Sequence, residues 1–304
     1  MKALVISGGG SKGAFGGGVA QYLIEEKHKD YDILVGTSTG SLMLTHLALN
    51  RVQAIKDIYT NICAKDIFSL NPFIFKKHKG YTTFGINHFN LILSFLKSAK
   101  TFGRSENLRR LIKEKITREM FDTLKASKKE VVVTVSNVTL NEVEYKRLKD
   151  CTYEDYCDWI WASSNYAPFM SILEKNNFEY ADGGFGTLVP IKQAIDLGAT
   201  EIDVIILDTE INQFNRMGSR NPFEMLTYLF GFMLEQGGLQ DVVIGKLEAK
   251  NHNACLNLYY TPTILTTNSL VFEKKKMEKW WKQGFKYAES QNANSSNELK
   301  SKGY

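Results

Sequence analysis

The segment MKALVISGGGSKGAFGGG (residues 1–18) joins an apolar run to three consecutive glycines and then to a glycine-rich helical pattern. KALVIS is almost continuously apolar, as expected of a strand buried on both faces of a parallel sheet. AFGGGVAQYLIEEKHKD predicts a helix. Its glycines at 16–18 weaken helix propensity, so we expect another part of the chain to approach that backbone closely. A second apolar strand, YDILVGTSTG (31–40), and the helix SLMLTHLALN complete a βαβ unit.

The same alternation continues along most of the chain. EVVVTVSNVTLNEVEYKRL predicts two strands joined by a turn near Leu140 and Asn141, and EIDVIIL predicts a further buried strand. We therefore predict an α/β fold with a mixed, mostly parallel sheet. We find no internal repeat or long linker, and expect one domain over residues 1–290 followed by a flexible polar tail, 291–304.

Two segments depart from this pattern. Residues 64–105 are aromatic, basic and rich in turns, and we interpret them as an excursion over the sheet that could act as a lid or lipid interface. NPFEMLTYLFGFMLEQ is apolar around much of its helical circumference, which fits either a core helix or a lipid-facing one. We favour the core.

Charge, cysteine spacing and hydropathy argue against a cysteine-based metal site, a secreted protein and a transmembrane protein. The net charge of +5 is modest, and the basic runs indicate either solvated surface or attraction to an anionic membrane leaflet. The four cysteines form neither a CxxC pair nor a metal-like cluster, so we expect free thiols. No signal-peptide pattern and no apolar run near 18 residues is apparent. We expect a cytoplasmic protein, or one peripheral at the membrane.

The glycine loop admits more than one interpretation. Gly8, Gly10 and Gly13 match GxGxxG after a strand and before a helix, which is the dinucleotide-binding context. That site also needs an acidic residue after the second strand, and VGTSTG offers none. A P-loop fails because Lys12 is followed by Gly13 rather than Ser or Thr.

The turn after the second strand favours a different chemistry. Gly36-Thr37-Ser38-Thr39-Gly40 fits GxSxG at a strand-to-helix turn, the nucleophile elbow that exposes a serine hydroxyl above a sheet. Turns after neighbouring parallel strands lie side by side, so the amides of Gly8, Gly9 and Gly10 should face the space above Ser38. We interpret the loop as an oxyanion hole.

A nucleophilic serine needs a base. None of the five histidines follows a late strand beside an orienting acid, and we expect His46, two turns into the helix after Ser38, to point away from the site. Asp182 closes the strand FEYADGG at the sheet end where Ser38 should lie. Asp-Gly-Gly is also good turn chemistry, so a structural role for Asp182 stays open.

Together these segments resemble the patatin-like phospholipase family over most of residues 1–210. SGGGSKG is similar to its oxyanion-hole motif, GTSTG to its elbow and ADGG to its catalytic aspartate motif, with ASSNYAPF and VPIKQAIDLGATEIDVIIL as supporting matches. The resemblance implies a three-layer fold, a mostly parallel central sheet flanked by helices.

The resemblance also implies a Ser38–Asp182 dyad that hydrolyses acyl esters of lipids. Gly8, Gly9 and Gly10 would then form the oxyanion hole, with Lys12 bracing or electrostatically assisting it, or simply solvated. Phospholipid or another acyl lipid is the expected partner, with transient membrane contact and without metal, cofactor or nucleic acid. An acyltransferase, a dinucleotide-binding protein and an effector silent until a partner binds remain alternatives.

Overall fold

The computed structural model describes residues 1–78, 81–96, 98–211, 218–219, 221–266 and 268–301, and of residues 75–84 and 294–301 it describes the backbone without the side chains. Its strands, numbered in chain order, are β1 Lys2–Ile6, β2 Ile33–Thr37, β3 Phe73–His78, β4 Tyr81–Ile86, β5 Glu130–Asn137, β6 Glu142–Arg147, β7 Leu173–Lys175, β8 Phe178–Asp182, β9 Glu201–Ile206 and β10 Cys255–Tyr260.

Helices connect and flank these strands. They are α1 Gly13–Gln21, α2 Thr39–Ala48, α3 Val52–Asn61, α4 Ala64–Ile67, α5 His88–Leu96, α6 Glu106–Lys115, α7 Arg118–Ala126, α8 Tyr153–Ser163, α9 Ile191–Asp196, α10 Pro222–Asn251 and α11 Lys274–Ser301. The last helix includes residues 291–301, most of the segment expected to be a flexible tail. The flexibility of that segment stays a prediction.

The central sheet has the order β10-β9-β1-β2-β5-β8-β7, and β6 also pairs with β5. Strands β10, β9, β1, β2 and β5 are parallel to one another. Strands β6 and β8 pair antiparallel with β5, and β7 pairs antiparallel with β8. The predicted mixed, mostly parallel sheet is thus confirmed. The turn at Leu140 and Asn141 joins β5 to β6 as expected.

Alternate residues of the parallel strands enter two separate hydrophobic layers. Leu4 and Ile6 of β1 pack with α1, α2, α3 and α11, while Ala3 and Val5 pack with α9 and α10 on the opposite face. Because successive side chains of a strand point to opposite faces, a strand buried on both sides needs apolar residues throughout, as KALVIS provides. The three layers are helix, sheet and helix.

The glycines of α1 allow α11 to pack directly on its backbone. A Cβ at Gly18 would lie 2.0 Å from the carbonyl oxygen of Trp281, and one at Gly284 would lie 2.0 Å from that of Phe15. Trp281 is almost completely buried in this contact. The close approach expected at residues 16–18 is made by α11 at Gly17 and Gly18, and by Leu207, just after β9, at Gly16.

Residues 64–105 leave the sheet, as expected. They include α4, α5 and the antiparallel pair β3–β4, which forms a two-stranded sheet of its own. The side chains of Lys76, Lys77 and Lys79, part of the predicted basic interface, lie outside the described residues. A role for this segment as a lid stays a prediction.

The preference for a core position of NPFEMLTYLFGFMLEQ was wrong. On α10, Met225, Leu229, Phe232 and Met233 are exposed, with 66% of Met233 accessible to solvent. The opposite side of the helix supplies Leu234 to a cavity and packs Gly238 against Leu188. The helix is apolar on several sides because one side packs on the protein and another is an exposed apolar surface.

Candidate active site

Ser38 lies at a sharp turn between β2 and α2. Its backbone has φ 52° and ψ −121°, a conformation that residues with a side chain rarely adopt and that is seen most often where function demands it. A Cβ at Gly40 would lie 2.2 Å from the carbonyl oxygen of Ile6, and one at Gly36 would lie 2.7 Å from the carbonyl carbon of Gly40. Gly40 therefore lets the turn pack against β1, and Gly36 lets the first turn of α2 fold back onto β2.

The sheet brings Asp182 to Ser38 by an arrangement that the sequence does not reveal. Strand β5 pairs with β2 through residues 130–134 and with β8 through residues 135–137. Because β6 occupies the other edge of β5, β2 and β8 must share one edge. They run toward each other, so the carboxyl ends of β2 and β8 meet head to head.

At this junction the Ser38 hydroxyl donates to Oδ2 of Asp182 at 2.6 Å. The second carboxylate oxygen, Oδ1, accepts the backbone N–H of Gly184 at 2.8 Å. The side chain of Asp182 is therefore held at both oxygens. One of these contacts is with the hydroxyl expected to be the nucleophile.

Burial sets the proton affinity of Asp182. The residue is only 4% exposed, and the loss of hydration raises the pKa of its carboxyl group to about 7, against the lowering effect of the hydrogen bonds from Ser38 and Gly184. A carboxylate with this pKa can accept a proton near neutral pH far more readily than an exposed aspartate.

The last residue of α8 and the two residues after it hold both Ser38 and Asp182 in place. The N–H of Ser38 donates to the hydroxyl of Ser163 at 3.0 Å, and the hydroxyl of Ser164 donates to the carbonyl of Ser38 at 3.2 Å. The carbonyl of Asn165 accepts the N–H of Asp182 at 3.0 Å. In the sequence this stretch, ASSNYAPF, stands out only by its similarity to the family, and no local pattern gives its serines a role.

The glycine loop lies beside Ser38, as predicted, and its three glycines line the same cavity. The amide of Gly8 donates to the carbonyl of Leu188 at 3.2 Å and is therefore engaged, which removes it from the predicted set of oxyanion donors. The amides of Gly9 and Gly10 donate to no acceptor in the part of the chain that the structure describes. These two are the donors still available to a ligand.

A cavity with an empty volume of about 1280 Å³, which includes space open to solvent, extends from the Ser38–Asp182 pair. Its deep walls are apolar and come from α2, α3 and α6. The residues involved are Leu42, Ile55, Ile58, Ile62, Leu108, Leu111 and Ile112. Such a cavity suits a long hydrocarbon chain joined to a group at Ser38.

A model of the family described as patatin-like phospholipase matches residues 4–195 of the chain, including Ser38 and Asp182. The chain belongs to the patatin-like phospholipase family. Membership agrees with the mixed α/β fold, and the family description names a phospholipase.

Among solved structures, the chain is similar to VipD from Legionella pneumophila, with 14% sequence identity and a TM-score of 0.47. The similarity covers 95% of this chain and 66% of VipD, so the chain spans just under two thirds of that protein's length. No curated protein matches the chain significantly.

No histidine whose side chain is described forms a hydrogen bond with Ser38 or Asp182. His28, His88 and His252 are exposed, and the side chain of His78 is outside the described residues. His46 is the unexpected case. It lines the same cavity as Ser38 instead of pointing away from it.

Lys12 also lines the cavity, and its side chain forms no ion pair with any described residue. Elsewhere in the described chain, no group of three or more His, Cys, Asp and Glu residues could hold a metal ion. None of the described helices is long and apolar enough to span a membrane. All four cysteines are free, as predicted.

Proposed function

We propose that the protein hydrolyses carboxylic esters of phospholipids or lysophospholipids through a Ser38–Asp182 dyad and an acyl-enzyme. The observation that carries this proposal is the 2.6 Å hydrogen bond from the Ser38 hydroxyl to a buried carboxylate. Nucleophilic catalysis requires a base within this distance of the hydroxyl, oriented by further contacts. Gly184 supplies the orienting contact on the other carboxylate oxygen.

The proposed reaction has two steps. Ser38 attacks the ester carbonyl while Asp182 takes its proton, and the tetrahedral intermediate expels the alcohol or lysolipid, which receives the proton. Water, activated by the same carboxylate, then attacks the acyl-enzyme and releases the fatty acid. The high pKa of Asp182 suits a group that both accepts and returns a proton near neutral pH.

We assign stabilisation of the oxyanion to the backbone amides of Gly9 and Gly10. They lie in the same cavity as Ser38 and are unengaged in the described chain, and an oxyanion donor typically contributes about 10²–10³ in rate. Lys12 belongs to the same loop and adds a positive charge to the cavity wall. Its proposed role is electrostatic support of the loop.

Access to lipid is assigned to an exposed apolar surface formed by one face of α5 and one face of α10. Its residues are Phe89, Ile92, Phe95, Leu96, Met225, Leu229, Phe232 and Met233. Ring contacts from Phe95 to Phe102, and from Phe102 to Phe223, connect the two helices. Exposed apolar patches of this kind mark contact with membranes or partners, and here α10 also lines the cavity of Ser38.

The proposal is tested by hydrolysis of defined phospholipid and lysophospholipid vesicles. Ser38→Ala and Asp182→Asn should each lower fatty acid release at least about a thousandfold. The nucleophile and its base act in the same chemical step, so the loss of either one stops that step. The exposed Asp122→Asn is the matched control and should retain full activity. Equal activity of Ser38→Ala and the wild-type protein would contradict the proposal.

The same experiment separates hydrolysis from acyl transfer. With an acceptor alcohol added, a hydrolase releases free fatty acid, whereas an acyltransferase forms a new ester. The dinucleotide-binding alternative lacks support. Strand β2 ends at Thr37, and no acidic residue follows it to bind a ribose.

A further inference from the structure

A short segment, residues 187–189, is bonded both to the glycine loop and to the strand that carries the serine turn. The carbonyl of Leu188 accepts the N–H of Gly8 at 3.2 Å. The carbonyl of Thr187 accepts the hydroxyl of Thr37, at the end of β2, at 3.0 Å. The geometry of the glycine loop and of the serine turn therefore depends on where this segment lies.

The glycine loop is fixed on both sides of its two unengaged amides. Gly8 donates to Leu188 on one side, and the N–H of Ser11 donates to the carbonyl of Ser269 at 2.8 Å on the other. The two amides proposed as oxyanion donors lie between these anchors. Such donors stabilise an oxyanion only while they point at it, so the loss of either anchor should weaken the site.

Asp241 of α10 holds the same segment. Its Oδ2 accepts the N–H of Leu188 at 2.7 Å and that of Val189 at 3.0 Å. Burial raises the pKa of Asp241 to about 6, against the lowering effect of these two hydrogen bonds, so the carboxyl group is largely ionised at pH 7. Hydrogen bonds to an ionised carboxylate are stronger than neutral ones. Leu188 is thus held by Asp241 at its N–H, while its carbonyl holds Gly8.

Two glycines let α10 approach this segment closely. Gly238, Asp241 and Gly245 are spaced three and four residues apart and share one face of α10. A Cβ at Gly238 would lie 2.8 Å from Cδ2 of Leu188, and one at Gly245 would lie 2.7 Å from Cβ of Ile191. The short side chain of Asp241, between the two glycines, can therefore reach the backbone.

We infer that Asp241 is a positioning residue for the proposed reaction, which fixes the glycine loop through Leu188 so that its free amides face the oxyanion. This inference rests on the proposed function, because it places that oxyanion beside Ser38. Asp241 is not among the residues that line the cavity of Ser38, so it acts through Leu188 and not on the substrate. It also lies beyond residues 4–195, the part of the chain that the family model matches.

The test compares three substitutions of Asp241 on one soluble ester. Asp241→Ala should lower kcat about tenfold and change KM less than about twofold, because misdirected amides weaken the transition state alone. Asp241→Asn keeps an oxygen acceptor in place and should stay within about threefold of wild type, whereas Asp241→Glu displaces the carboxylate by a methylene and should lose kcat as Asp241→Ala does. Asp32→Ala is the control, because Asp32 accepts the N–H of Lys2 at 2.8 Å at the opposite end of β1.

A second readout reports the oxyanion hole itself. The serine oxygen adds to the carbonyl carbon of an alkyl trifluoromethyl ketone as Asp182 takes the proton, and the resulting oxyanion mimics the tetrahedral intermediate. The inhibition constant should rise about tenfold in Asp241→Ala and Asp241→Glu, and stay within about threefold in Asp241→Asn and Asp32→Ala. Partial unfolding lowers the amount of active protein but leaves this constant unchanged.

If Asp241→Ala fails to fold, the contrast between Asp241→Asn and Asp241→Glu tests the inference by itself. Wild-type values of kcat and of the inhibition constant in Asp241→Ala would overturn the inference alone, as would equal values in Asp241→Asn and Asp241→Glu. Absence of Ser38-dependent hydrolysis by the wild-type protein would overturn the proposed function and this inference with it.

Discussion

The N–H of Ser38 donates to the hydroxyl of Ser163 at 3.0 Å, which ties the strained turn after β2 to the end of α8. The Ser163 hydroxyl also lies 2.8 Å from that of Ser41, which donates to the carbonyl of Gly36 at 2.9 Å. A short hydrogen-bonded path thus connects α8 to both sides of the turn. Ser163 is a positioning residue in this arrangement and does not touch the reacting atoms.

We predict that Ser163→Ala lowers kcat about tenfold with KM changed less than twofold. The substitution leaves the buried N–H of Ser38 without an acceptor, at a cost of about 1–3 kcal/mol, and releases the turn. Ser171→Ala is the matched control, because Ser171 is also buried and accepts a backbone N–H, that of Ser105 at 2.9 Å. The measurement is steady-state kinetics with a soluble ester. An equal loss of kcat in Ser163→Ala and Ser171→Ala would contradict the prediction.

The pH dependence of activity follows from the state of Asp182. The proton acceptor must be ionised, and burial raises its pKa to about 7, so kcat/KM should increase as the pH rises toward 7 and level off above it. An exposed aspartate would already be ionised throughout this range. Rates measured from pH 5 to pH 9 on a soluble ester check this. A flat profile between pH 5 and pH 8 would exclude Asp182 as the base with this pKa.

Much of the fold could be predicted because burial leaves a direct mark on the sequence. Strands buried on both faces, such as KALVIS and EIDVIIL, need apolar residues throughout, and the elbow needs Gly36 and Gly40 where a Cβ would collide with backbone. The position of β8 left no such mark. Strand β8 meets β2 end to end because both pair with the same edge of β5, β2 with residues 130–134 and β8 with residues 135–137.

The environments of Gly8 and His46 could not be predicted for a related reason. A hydrogen bond from Gly8 to Leu188 joins residues far apart in sequence, and no local pattern encodes it. The interpretation of α10 as core failed because hydrophobicity alone does not distinguish a buried face from one exposed beside a cavity. The environments of Gly8, His46 and α10 all depend on which elements the tertiary structure brings together.

Blocking the cavity beside Ser38 should change the preferred chain length. Leu42→Trp places a larger side chain between Ser38 and His46, so hydrolysis of a long-chain ester should fall at least about tenfold relative to a butyrate ester. Leu49→Trp, at a partly buried leucine just after α2 that does not line the cavity, is the control. The ratio of kcat/KM for the two esters is the measurement. An unchanged ratio in Leu42→Trp would place the acyl chain elsewhere.

The exposed apolar surface of α10 should matter only for lipid in membranes. In Phe232→Ser/Met233→Ser we expect about a tenfold slower release of fatty acid from vesicles, because less apolar area enters the bilayer, with hydrolysis of a soluble ester within twofold of wild type. Val243→Ser/Leu247→Ser alters exposed apolar residues farther along the same helix and serves as the control. Equal losses on both substrates would indicate damage to the fold instead.

Covalent trapping tests whether Ser38 is a nucleophile activated by Asp182. The protein is treated with a fluorophosphonate probe, with and without liposomes, and the modified residue is found by peptide mass spectrometry. We predict one adduct on Ser38, absent in Ser38→Ala and formed far more slowly in Asp182→Asn. An adduct on another residue, or none on Ser38 even with liposomes present, would contradict it.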